Sequence, residues 1–146
     1  YDLINIDVSE WNVSKVTDFG YLFCACESLE EIDVSNWDTS NVTNMGAVFS
    51  SCRSLKNIDL TKWNTSKVTK MYYMFYDNEN LTELDLSSFD TSVVINMGKI
   101  FAEASNLERI YVSNKWAAPF GATHFTQVYA NRLITSSRSS GRSHHP

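Results

Sequence analysis

Hydrophobic and polar positions recur along this chain every 26 residues, with no insertion or deletion over four units. Leu3, Leu29, Leu55, Leu81 and Leu107 share one column, and Ile6, Ile32, Ile58, Leu84 and Ile110 share another. Trp11, Trp37, Trp63 and Phe89 form an aromatic column, as do Phe23, Phe49, Phe75 and Phe101. Chance does not align this many columns. The chain therefore reads as a repeat protein, in which one unit cannot bury its apolar side alone and stacked neighbours complete the core.

The unit beginning at Leu29 shows the elements this pattern predicts. Ile32 and Val34 alternate with Glu31, Asp33 and Ser35, the period-two pattern of a short, half-buried strand. The stretch from Asn36 to Ser40 is rich in turn formers, and Asp38 or Ser40 is placed to cap a helix. Val42, Met45, Val48, Phe49 and Cys52 then follow at spacings of 3, 3, 1 and 3, which predicts one face of an α-helix. The other units repeat the series. The expected fold is a right-handed α/β solenoid with a parallel β ladder on one face and short helices on the other. Residues 1–116 would form four coils and a partial fifth.

Residues 117–146 leave the pattern. All 17 acidic residues lie at or before Glu108, whereas Arg132, Arg138, Arg142 and all 3 His lie beyond residue 116. Residues 117–134 are read as a possible cap over the last coil, and residues 135–146, polar and low in complexity, as a flexible tail or a scar of foreign sequence. The first residues fall inside a unit with no polar cap, so a longer array is expected.

Composition narrows the function. A chain that is 43% hydrophobic and 20% charged can build a core, which excludes wholesale disorder. No apolar run is long enough to span a bilayer, so no direct membrane insertion by this segment is expected. The net charge of -5 argues against nucleic acid as a partner. The 3 Cys are too few for a disulfide scaffold.

The sharpest candidate chemistry is a column of carboxylates, Asp7, Asp33, Asp59 and Asp85, expected one per coil on the outer strand face and widened by Glu31 and Glu83. Two charges about 4.8 Å apart repel by roughly 1 kcal/mol in water and several times that near a protein surface. Something must relieve this. One reading assigns hydrogen bonds from Ser9, Ser35, Thr61 and Ser87, from backbone amides or from the Trp indoles. The other makes the strip a binding face for a basic partner or for divalent cations. Calcium wants six to eight oxygens, which a straight carboxylate column does not wrap around one ion, so no metal and no cofactor is expected.

Other columns have plainer expectations. Cys26 and Cys52 share a column with Asn78 and Ala104, which suits packing, with a Cys26–Cys52 bridge as the alternative. The Trp column is expected to be core. Thr39, Thr65 and Thr91 are expected to cap the turn and the helix start. Tyr72, Tyr73 and Tyr76 crowd one predicted helix, so some must face outward as a contact patch or as ordinary surface side chains. The Asn-x-Ser/Thr sites at Asn12, Asn41 and Asn64 arise from the repeat itself, and a fourth lies at Asn80. His124, His144 and His145 lie outside the array with no catalytic spacing.

The series Leu29, Ile32, Asp33, Val34, Ser35, Trp37, Asp38, Thr39, Ser40, Val42, Thr43, Met45, Phe49, Cys52 and Leu55 resembles the 26-residue repeat of BspA-like bacterial surface proteins, a leucine-rich-repeat branch. The resemblance runs from residue 3 to about residue 116. Ile110 to Trp116 looks like the last repeat of such arrays. The resemblance implies a leucine-rich-repeat-like fold and an extracellular module at the bacterial cell surface, used for adhesion or interaction without catalysis. The expected partner is a host or bacterial surface macromolecule, above all a protein, meeting the acidic strand face. A structural spacer and a glycan-cleaving enzyme are the two alternative readings.

Overall fold

The computed structural model describes residues 3–117 and the backbone of Leu133–Ile134. The expected cap over 117–134 and tail over 135–146 otherwise lie outside the described residues, as do the three His.

The α/β solenoid with a helical layer is overturned: none of the described residues is helical. Where helices were expected, each unit runs as a ribbon of tandem turns. In the second unit the amides of Val48, Ser50 and Cys52 donate to the carbonyls of Met45, Ala47 and Phe49, each three residues back. The alternate amides, of Met45, Ala47, Phe49 and Ser51, donate instead to Lys70, Tyr72, Met74 and Tyr76 of the next unit, at 2.7–3.2 Å. A helix would satisfy these groups internally, four residues apart. The ribbon turns half of them sideways and so ties unit to unit.

The backbone shows how. Tyr21, Ala47, Tyr73 and Lys99 occupy one column, and Ala25, Ser51, Asp77 and Glu103 another; all eight have φ between 54° and 61°. Two left-handed residues per unit stop a right-handed helix. Weak helix formers such as Asn44, Gly46, Ser50 and Ser51 give little resistance. The 3, 3, 1, 3 spacing still marks the correct inward face. Val42, Met45, Val48, Phe49 and Cys52 are all buried.

The strand side is also more sparing than expected. Among the described residues the regular ladder is confined to β1 (Glu83–Leu86) and β2 (Arg109–Val112), paired in parallel with Leu84 opposite Ile110, and β3 (Leu133–Ile134), which pairs in parallel with β2. Between the first three units the contact shrinks to the bridge Asn5↔Glu31 and single amide bonds from Glu30 to Ile4 and from Lys56 to Glu30. Charge is one contribution. Like charges directly opposite one another destabilise a ladder, and Asp7, Asp33 and Asp59 recur there unit after unit. The ladder closes where that column ends, because Glu83 meets Arg109 and Asp85 meets Tyr111.

Three corners bend each unit, and a short polar side chain holds each one in the first, second and fourth units, while in the third Lys70 stands at the last corner. In the second unit Asp33 accepts from Ser35, Asp38 from Ser40, and Asn44 from the Gly46 amide. These are Asx turns, in which the side chain mimics a turn carbonyl. Asp38 and Ser40 thus form a corner instead of capping a helix.

Inside run stacked rings. Phe23, Phe49, Phe75 and Phe101 lie 5.8–6.0 Å apart between neighbours, and Trp11, Trp37 and Trp63 lie 6.0 and 6.3 Å apart. The Trp column is core at Trp37 and Trp63, while Trp11 in the first unit is 45% exposed. Thr39, Thr65 and Thr91 are buried, not helix caps. Thr65 Oγ1 donates to the Asp90 carbonyl at 2.9 Å and accepts from the Asp90 amide at 2.8 Å, bridging two units; Thr39 does the same with Asn64. The cysteines are free thiols, so no Cys26–Cys52 bridge forms. Buried Cys52 donates its thiol to the Phe23 carbonyl at 3.2 Å, and Asn78 repeats that bond one unit later to Phe49. Burial pushes the Cys52 thiol up to about 12.

Candidate functional site

The open strand side leaves a depression of about 600 Å³ across the first three units, lined by Asn5, Asp7, Glu31, Asp33, Asn57 and Asp59 with Ile6, Ile32 and Ile58 beneath. Four of the six expected site residues therefore meet in one groove. Glu83 and Asp85 do not line it: they sit on β1, where Arg109 Nε lies 3.6 Å from Glu83 and Asp85 is half-buried.

Each Asp in the column accepts from the residue two positions on. Asp33 Oδ1 accepts from the Ser35 amide at 3.0 Å and hydroxyl at 2.6 Å, Asp59 from both donors of Thr61 at 3.0 and 2.6 Å, and Asp7 from the Ser9 amide at 2.9 Å. The hydroxyl first, and then the amide, holds Asp7, Asp33 and Asp59 below the usual carboxylate range. Donors aimed at the charged form stabilise it. Asp33 raises Asp59 only slightly, as the smallest of the influences on it. The hydroxyl and amide reading is therefore the correct relief of repulsion. The indoles play no part: Trp63 Nε1 donates to the Val34 carbonyl at 3.1 Å.

Only Oδ1 is used in these turns. Among the described residues, Oδ2 of Asp7, Asp33 and Asp59 has no hydrogen-bond partner, and no Lys or Arg ion-pairs with these three or with Glu31. Other acids are already paired, Asp77 with Arg53 at 2.9 Å and Glu30 with Lys56 at 3.7 Å. The groove is thus a fixed array of ionised carboxylates facing solvent over an aliphatic floor. Among the described residues no three His, Cys, Asp or Glu side chains converge to hold a metal ion. No helix there is long and apolar enough to cross a membrane.

A family model described as Mycoplasma protein of unknown function, DUF285, matches residues 2–116. The chain belongs to the DUF285 family. The match covers the repeat register and stops where that register stops. No curated protein and no solved structure matches. In this DUF285 chain the tyrosines form a second feature. Tyr73 and Tyr76 stack at 5.1 Å, Tyr72 meets Tyr73 edge-on at 6.4 Å, and Tyr72 reaches back across the second unit to Tyr21 at 6.3 Å. Gly46 makes that reach possible, since a Cβ there would lie 2.2 Å from the Tyr72 ring. In sequence, Tyr72, Tyr73 and Tyr76 are grouped without Tyr21. Its signal was available, because Tyr21 and Tyr73 share a column.

Proposed function

We propose that this DUF285 chain is a non-catalytic binding module that presents its acidic groove to a basic patch on a macromolecular partner, above all a protein, at a bacterial cell surface. The carrying observation is the row of Asp carboxylates, each locked through one oxygen and open at the other. Such a row is preorganised: the side chains are ordered before binding, so little further entropy is lost when a cation arrives. Opposite charge over a focused groove also speeds encounter. Similarity of the unit to the BspA-like repeat supports the surface setting, and the Mycoplasma description of the family supports a bacterial one.

The test is retention of beads coated with the chain on a layer of host epithelial cells. Asp33→Lys with Asp59→Lys neutralises the groove but also removes two corners. Glu31→Lys with Asn57→Lys cancels most of its charge while leaving every Asx turn intact. Loss of retention in the second variant, at an unchanged urea midpoint, is the expected result. Unchanged retention would refute the reading and favour a spacer.

A further inference from the structure

The acidic groove lies on the strand side. The turn-ribbon side is mixed in charge. Residues 15–26, 41–52, 67–78 and 93–104 hold Lys15, Lys67, Lys70 and Lys99 beside Asp18, Asp77 and Glu103, and Asp77 is already paired with Arg53. The tyrosine strip lies on this same side. Tyr21 is 58% exposed and Tyr73 37%, and Lys99 Nζ stands 6.0 Å from the centre of the Tyr73 ring. Tyr72, Tyr73, Asn96, Gly98 and Lys99 line a depression of about 410 Å³.

We propose that this depression, extended along the tyrosine strip, binds an acidic glycan: sugar rings pack against the Tyr72 ring and the exposed edge of Tyr73, and Lys99 pairs with the acid group. Several independent features favour that chemistry. Tyrosine gives broad, rigid contact with few torsions to freeze, and its hydroxyl tip suits a polar ligand. Asn96 Oδ1 is already taken by the Gly98 amide at 3.1 Å, which leaves its amide nitrogen to donate outward to a hydroxyl. A peptide has less to hold. The Asn96 and Gly98 carbonyls are already taken, by Met71 N at 2.8 Å and Tyr73 N at 3.0 Å, so no main chain can donate to them. The strip runs along the stack, with Tyr21 and Tyr73 two units apart, about 10 Å at ordinary strand spacing. That span suits successive rings of an extended polysaccharide.

Tyr73 and Lys99 hold left-handed backbone at φ 57° and 55°. Asn is among the cheapest side chains in that conformation, and Glu103 shows that Glu is accepted at the same φ range. Tyr73→Asn and Lys99→Glu therefore remove the ring and reverse the charge without new strain. Gly98→Leu blocks the depression. A Cβ at Gly98 meets only Asn96 Oδ1 at 3.4 Å, and the equivalent position in the third unit already carries Tyr72.

The experiment is calorimetric titration of the full chain with short hyaluronan oligosaccharides, with dextran as the neutral glycan and polyglutamate as the acidic peptide. Hyaluronan is expected to bind, more weakly as salt rises. Affinity should fall about tenfold or more in each of the three variants. Glu31→Lys, on the strand side, should leave it unchanged, which separates this site from the acidic groove. Absence of hyaluronan binding would overturn the proposal. So would polyglutamate binding as tightly, or hyaluronan binding that survives Tyr73→Asn and Gly98→Leu.

Discussion

Thr65→Val tests the bridging row directly. Thr65 is 0% exposed, and its hydroxyl both donates to the Asp90 carbonyl at 2.9 Å and accepts from the Asp90 amide at 2.8 Å. Valine keeps the shape and loses both bonds. A net hydrogen bond contributes about 1 kcal/mol, and a buried group left without its partner costs about 1–3 kcal/mol. Two bonds on one backbone unit therefore give roughly 2–4 kcal/mol. At a urea slope of about 2 kcal/mol per molar, the midpoint should drop by about 1–2 M. Thr65→Ser keeps the hydroxyl and loses one methyl, so it should cost only about 1 kcal/mol. Thr69 is the control. It also donates to the preceding unit, at 3.2 Å to the Thr43 carbonyl, but that carbonyl already takes the Thr69 amide at 2.8 Å. Thr69→Val, away from the core, should cost about 0.5 kcal/mol or less. Equal midpoints for Thr65→Val and Thr69→Val would refute the bridging role.

Three further outcomes are expected. Phe49→Ala should cost about 3–5 kcal/mol, because Phe49 is fully buried between Phe23 and Phe75 and its loss leaves a cavity felt by both neighbours; an unchanged urea midpoint would contradict the ring stack. Far-ultraviolet circular dichroism should lack the paired minima of helix, and a clear helical signal would contradict the turn ribbon. Stability should fall in acid. Asp7, Asp33, Asp38, Asp59 and Asp90 are held below their ordinary values by hydroxyl and amide donors, so their contribution is present above about pH 4 and is lost as pH falls through the lowered native values. A urea midpoint higher at pH 3 than at pH 6 would mean instead that relief of repulsion along the Asp column outweighs those bonds.

The sequence alone determined the repeat, its register and its inward face. Those follow from which side chains must leave water, and Leu84 does stand opposite Ile110, one period on. It also placed Asp7, Glu31, Asp33 and Asp59 together and named the hydroxyls that hold the Asp column. An Asx turn is a contact two residues long and is therefore legible locally. The backbone between those side chains was not legible. Spacings of 3, 3, 1 and 3 fit a helix and a ribbon of tandem turns equally well. Only the stacked unit decides between them, by offering the Lys70, Tyr72, Met74 and Tyr76 carbonyls to the amides that a helix would have kept. The same holds for Glu83, Asp85 and the buried Thr row. Whether a carboxylate faces another carboxylate or an arginine, and whether a hydroxyl caps its own turn or bridges to the next, depends on the neighbouring unit and not on the residue's own.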